Sequence, residues 1–171
     1  MIPAKEIIEK LEYLRIHDSD LRIFGASTQN GWGHAYKMNP VMPESEIIAF
    51  EQAVGVRLPE DFRAFIMQVC NGGPGPGYGL FGLETDWAAF VEHYRTPFDP
   101  SNDRFTGCLT LGNMGCGIYD YLVINGDTDT YGKMASDNGF GDVFLMDTFL
   151  AEYLWWLDDS ILQVKGLKPF F

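Results

Sequence analysis

Cationic side chains are scarce in this chain of 171 residues: 12 lysines and arginines stand against 24 aspartates and glutamates, for a formal net charge of −12 at pH 7. The deficit is local. Residues 1–83 carry ten acids and seven bases, whereas residues 84–160 carry fourteen acids and three bases. A face of that sign repels nucleic acids and anionic membranes and attracts a basic protein or cations. An acidic surface that serves solubility alone is the plainer reading of the same numbers. Cysteine is also sparse. Cys70, Cys108 and Cys116 are odd in number and lack Cys-x-x-Cys spacing, which argues against a disulfide framework or a zinc ribbon and fits free core thiols in a reducing compartment such as the cytoplasm. No apolar run approaches the roughly 18 residues of a membrane span. The opening "MIPAKEIIEKLEYLR" interrupts its apolar residues with charges where a secretory signal needs an unbroken run.

Catalytic signatures are missing as well. There is no Gly-x-Ser-x-Gly and no His-Glu-x-x-His, and His17, His34 and His93 are far apart in the chain. No catalytic residue, cofactor or metal ligand is assigned. What the chain does have is core material, 46% hydrophobic and 15% aromatic residues, with no repeat, low-complexity tract or long linker. That is enough to fold without disulfide or metal support, and the expectation is one domain over residues 1–171.

Periodicity places the elements. Ile7, Ile8, Leu11 and Leu14 mark a one-sided helix over Ala4 to Leu14. "LRIFGAS", Leu21 to Ser27, reads as a short strand. "ESEIIAFEQAV" puts Ile47, Phe50 and Val54 on one helical face and closes at Gly55, a left-handed stop. A second helix follows, with Pro59 at its first position, Glu60 and Asp61 at its positive end, and Phe62, Phe65, Ile66 and Val69 inward. Trp87 to Arg95 reads as a helix capped by Asp86, with Trp87, Phe90, Val91 and Tyr94 inward. "LTLG", "YDYLVIN" and "DVFLM" read as strands, and "DTFLAEYLWWLDDSIL" as a final helix burying Phe149, Leu150, Tyr153, Leu154 and Leu157. Terminal helices around a strand-rich middle predict an α+β fold, a mostly antiparallel sheet covered by helices on one side.

Three stretches invite a chemical reading. "CNGGPGPGYGLFGL", Cys70 to Leu83, resembles a phosphate cradle in composition, but its glycines follow a helix instead of preceding one, and the lysine of a phosphate loop is missing. It reads as a corner that uses glycine's access to positive φ. "DTDTYGKMASDN", Asp127 to Asn138, matches a calcium loop at Asp127, Asp129 and Gly132, but has Tyr131 at the fifth position and Asn138 at the twelfth, where a bidentate glutamate belongs. A hairpin turn is the simpler assignment. Asp158 and Asp159 lie toward the negative pole of the last helix, where either a partner cation or plain solvation would accommodate them.

The helix pair and its exit carry a family likeness. Phe50-Glu51, Gly55, Leu58-Pro59, Asp61-Phe62 and Asn71-Gly72-Gly73 in "EIIAFEQAVGVRLPEDFRAFIMQVCNGG" resemble the signature of the SUKH superfamily, also called the Smi/Knr-like family. Gly25-Ala26, His34, Tyr36 and Pro40, together with "GPGPGYGLF", "GCLTLGNMGCGIYDYLVING" and "FLAEYLWWLDD", extend the likeness over nearly the whole chain. After Gly132 such relatives tend to carry valine and tryptophan, where this chain has Met134 and Ala135 before Ser136-Asp137. The resemblance implies a Smi/Knr-like α+β fold with a mixed or antiparallel sheet and no known catalytic activity. It also implies a binding role. Bacterial members resemble immunity proteins that neutralise a secreted polymorphic or contact-dependent toxin, often a nuclease, and fungal relatives resemble cell-wall regulators acting as scaffolds.

Charge adds a mechanism beside the likeness. A nuclease presents a basic face, and an acidic inhibitor can be steered to it and cover it. Asp120, Asp127, Asp129, Asp137 and Asp142, with Tyr119 and Tyr131 as aromatic anchors, are the expected partner-binding edge. The expected function is therefore a cytoplasmic immunity protein for a toxin with a basic face. An intracellular adaptor of the Smi/Knr type is the alternative, and an enzyme is the least favoured class.

Overall fold

Ile7, Leu11 and Leu14 are fully buried along one face of α1 (Ala4–His17), which packs lengthwise on the last helix, α5 (Phe149–Val164). A computed structural model describes residues 1–29, 31–83, 87–101, 104–137 and 142–170. Between the two terminal helices run α2 (Glu44–Val54) and α3 (Glu60–Gln68), then a 3-10 turn at Trp87–Phe90 that continues into α4 (Val91–Arg95). The strands are β1 (Cys108–Gly115), β2 (Ile118–Val123), β3 (Lys133–Asp137) and β4 (Val143–Thr148), an antiparallel meander in the order β1-β2-β3-β4. The expected α+β architecture is the observed one. Every described strand pairing is antiparallel.

The sheet separates two apolar clusters. On one face Leu109, Leu111, Leu122 and Met134 join Phe50, Phe65, Phe149 and Tyr153 of the helices. On the other, Cys108, Val123 and Ala135 are roofed by Phe98 and Phe105, and Phe105 stacks on Tyr121 with ring centroids 3.9 Å apart. The helix-side cluster also takes in Ile2, Ile23 and Tyr36, so the N-terminal segment shares the same core.

Polar side chains lock the turns between helices. α2 closes at Gly55, φ +77°, whose N–H donates to the Glu51 carbonyl at 2.8 Å. The Glu51 carboxylate accepts the Leu58 N–H at 3.0 Å and faces Arg63 at 3.5 Å, while Arg63 also bonds Glu44 at 3.0 Å. Pro59 caps α3 from one residue before its first turn, one place earlier than expected. Asp61 then does two things. It accepts the Phe62 N–H at 2.8 Å within α3 and, across 89 residues of chain, the Leu150 N–H of α5 at 3.0 Å. Each helix start is short of carbonyl partners for its first N–H groups, so one carboxylate satisfies both and meets both positive poles.

The glycine stretch is the corner that the sequence suggested. Asn71 pairs with the Leu83 backbone through both its side-chain groups, and Gly73 exchanges two backbone bonds with Leu80 at 2.9 and 2.8 Å. At Gly73, φ +118°, a Cβ would meet the Lys37 carbonyl oxygen at 2.5 Å. The Tyr153 hydroxyl donates to the Pro74 carbonyl at 3.0 Å and ties the corner to α5.

Three expectations need correction. Leu21–Ser27 is a set of turns, because the buried Asp18 carboxylate captures the N–H groups of Arg22 and Ile23 and accepts the Tyr36 hydroxyl at 2.7 Å. Positive φ at Leu21 and Gly25 then breaks the extended path. Lys133–Asp137, read within the calcium-or-turn stretch, is a central strand, and the hairpin loop is confined to the residues before it. Phe90 points outward at 49% exposure, because the expected helix over Trp87 to Arg95 begins as a 3-10 turn. Trp87 and Tyr94 do pack on Phe50, each with centroids 5.6 Å away, and Asp86 lies outside the described residues.

Two measurements check this account. Replacing Asp61→Ala leaves two helix N-termini short of an acceptor and is expected to cost about 2–4 kcal/mol, read from the urea midpoint at unchanged slope. His34 is the second. Its Nδ1 accepts the Tyr36 N–H, its Nε2 has no hydrogen-bond partner among the described residues, and its ring is buried against Trp156; burial pulls its pKa from 6.5 down to about 4. A depressed pKa gives stability that is present above the ordinary value and lost as pH falls from about 6.5 toward about 4. Between pH 7 and pH 5 this group alone should cost about 2 kcal/mol, a slope that His34→Gln should remove from the pH dependence of the unfolding midpoint.

Candidate partner-binding surface

Strand alternation distributes the seven expected contact residues. Successive side chains of β2 point to opposite faces, so Tyr119 and Tyr121 share one side and Asp120 takes the other. Asp120 therefore faces α5 in a row with Ser136 and Phe144, beside Leu111, Met134 and Tyr153. It is 8% exposed, and burial, together with the neighbouring negative charge of Glu152, raises its pKa above the usual aspartate value. Tyr119 is half-buried.

The loop from β2 to β3 holds Asp127, Asp129 and Tyr131. Asp127 is exposed, yet its carboxylate is the loop's organiser: one oxygen accepts the Asp129 N–H at 3.0 Å, the Thr130 N–H at 2.9 Å and the Thr130 hydroxyl at 2.7 Å. The Thr130 hydroxyl in particular holds the Asp127 carboxyl below its usual pKa. Tyr131 is 42% exposed and its hydroxyl donates to the Arg57 carbonyl at 3.0 Å, docking the loop on the α2–α3 turn. Asp129 points to solvent. This is the hairpin assignment; the second half of the calcium-type stretch is extended β3, and Asn138 lies outside the described residues.

Asp137 and Asp142 are at the opposite end of β3, half-buried and exposed respectively. Five residues of strand at about 3.3 Å each hold the two ends roughly 13 Å apart. The expected edge is thus two acidic corners of one sheet, with Asp127, Asp129 and Tyr131 at one and Tyr119, Asp137 and Asp142 at the other. Asp158 and Asp159 lie within α5, not at its end, and are compensated inside the molecule: Asp158 pairs with Lys10 of α1 at 2.7 Å, and Asp159 with Lys168 and Gln163.

A cleft on the other side of the sheet has a different character. It encloses about 450 Å³ between α4 and the outer face of β1 and β2, lined by Phe81, Phe90, His93, Tyr94, Arg104 and Tyr121. Cys108 is at its floor, and burial pushes that thiol up to about 12, as it does Cys70, so neither is a nucleophile near neutral pH. Cys116 is at the far end of the β1–β2 hairpin from Cys108. Among the described residues no three His, Cys, Asp or Glu side chains converge as metal ligands, and no helix is long and apolar enough to cross a membrane. What sequence reasoning missed is the exposed apolar pair Phe144 and Leu145 on β4, whose place on the outside of the sheet was not readable from "DVFLM".

A search of curated proteins returns no match. A family model, by contrast, matches residues 42–160, from just before α2 to the last turns of α5, and so covers both helices with their locking side chains, the glycine corner and the whole sheet. The chain belongs to the SMI1 / KNR4 family (SUKH-1).

Proposed function

We propose that this protein acts by covering another protein: it is an immunity protein of the cytoplasm that neutralises a cognate secreted polymorphic or contact-dependent toxin and transforms no substrate. Family membership fits a role of the immunity or Smi/Knr type. The observation that carries the toxin reading is the charge asymmetry, fourteen acids against three bases over residues 84–160, with Asp129, Asp142 and Asp147 exposed around the sheet. A nuclease needs a basic face for phosphate, so a negative surface both accelerates encounter and blocks the site once docked.

The test is co-expression with the toxin encoded beside this gene. Growth should be rescued, a 1:1 complex should be recovered, and the association rate should fall about tenfold or more from low to high salt. Asp129→Lys and Asp142→Lys, made singly and each checked for an unchanged unfolding midpoint, tell which corner meets the partner. Rescue without complex formation, or an association rate indifferent to salt and to both reversals, would reject this reading.

A further inference from the structure

A sheet has two outer strands, and their outward N–H and C=O groups need partners. β1 has them. Tyr78 N–H donates to the Asn113 carbonyl at 2.9 Å, Phe81 N–H donates to the Leu111 carbonyl at 2.6 Å, and Leu80 bridges Gly112. β4 differs: Val143, Phe144 and Leu145 pair with Asp137, Ser136 and Ala135 of β3 on one side, and among the described residues no backbone group bonds them on the other. In an antiparallel strand alternate residues aim both backbone groups away from their partner, so this edge offers a ready ladder. Its side chains are open on both faces. Phe144, 54% exposed, extends the Asp120–Ser136 row on the helix face, and Leu145, 41% exposed, lies beside Ala135 on the other.

We propose that the outer edge of β4 receives an extended segment of a protein partner as a fifth, antiparallel strand, with apolar residues against Phe144 and Leu145 and a lysine or arginine at each end. The acids choose the occupant. Asp142 and Asp147, both exposed, bracket the apolar run. A second copy paired about the Phe144–Leu145 step would set Asp142 of one chain opposite Asp147 of the other, on molecules that each carry −12. A basic-flanked strand turns the same two carboxylates into attractions. Lysine and proline, which commonly blunt an exposed edge, are absent from Val143–Thr148.

The proposal deepens the binding role above and rests on it, but the two fail separately. The probe is a fluorescein-labelled hexapeptide, Lys-Val-Thr-Val-Thr-Lys, titrated into the full chain at low salt. Saturable binding is expected, with amide shifts in the NMR spectrum centred on residues 143–147. Affinity should fall about tenfold when glutamates replace both peptide lysines, and by a similar factor in an Asp142→Asn, Asp147→Asn double variant of unchanged unfolding midpoint. N-methylation of alternate peptide amides, with side chains unchanged, should abolish binding, because it removes the ladder alone. Equal binding of the N-methylated peptide, shifts that map elsewhere, or no binding at all would overturn the proposal. So would a concentration-dependent dimer dissociated by Phe144→Lys, which would make a second copy the occupant. Peptide binding without growth rescue rejects the toxin and keeps the edge; rescue without peptide binding does the reverse.

Discussion

Asp61 is where the molecule is tied together. Its carboxylate joins the first turn of α3 to the first turn of α5, and the aromatic cluster forms around that junction: Phe62 and Phe65 each meet Phe149 edge-on at 5.0 Å, and Phe65 meets Tyr153 at 4.7 Å. The order of dependence is physical. Once the start of α5 is placed, β4 is placed too, because Thr148 ends the strand and caps the helix, its hydroxyl accepting the Ala151 N–H. One turn further on, Tyr153 reaches Pro74 and sets the glycine corner, whose later residues 78–81 then bond the outer edge of β1. The same junction thus leads to one sheet edge that is closed and one that is open among the described residues. Edges are usually liabilities, and a fold that covers one and leaves an apolar run on the other invites a functional account of the difference.

The motif residues that marked the family turn out to be these fastenings. Glu51 holds the Leu58 N–H, Asp61 holds two helices, Asn71 pairs with the Leu83 backbone, and Gly73 allows a backbone approach that a Cβ would forbid. Such residues were legible because local chemistry determines them: a left-handed stop at Gly55, acids at a helix start and glycine at a crowded turn each have a short-range reason. The helices were legible for the same cause, through apolar spacing at Ile7, Leu11, Leu14 and at Phe62, Phe65, Ile66. Leu21–Ser27 was not. Its apolar content looks like a strand until the Asp18 carboxylate, outside the window, takes its N–H groups for a turn. β3 fails in the opposite direction: Lys-Met-Ala-Ser-Asp has weak strand preference, and it is extended because β2 and β4 pair with it on both sides and Ala135 fits beneath Phe98 and Phe105.

The contact surface was less readable than the fold, for a reason the acids themselves illustrate. Sequence proximity around turns grouped Asp120 with Asp137 and Asp127 with Asp129, but strand alternation turns Asp120 into the core, and the length of β3 separates what remains into two corners. Net charge was equally blunt, since some of it is spent inside the molecule, as at Asp158 with Lys10 and Asp159 with Lys168.

The acids therefore divide by occupation. Asp18, Glu51, Asp61 and Asp127 accept backbone N–H groups, and their charge is engaged in holding turns and helix starts. Asp129 and Asp142 are exposed at the two ends of the sheet, and Asp147, exposed on β4, does both, its carboxylate accepting the Thr148 N–H at 2.7 Å. Carboxylates of the first kind resist replacement by any residue that cannot accept a hydrogen bond. Exposed carboxylates such as these also add self-repulsion to an already acidic chain. On the proposed reading, exposed carboxylates beside the unburied Phe144 and Leu145 are what a partner of opposite sign would meet.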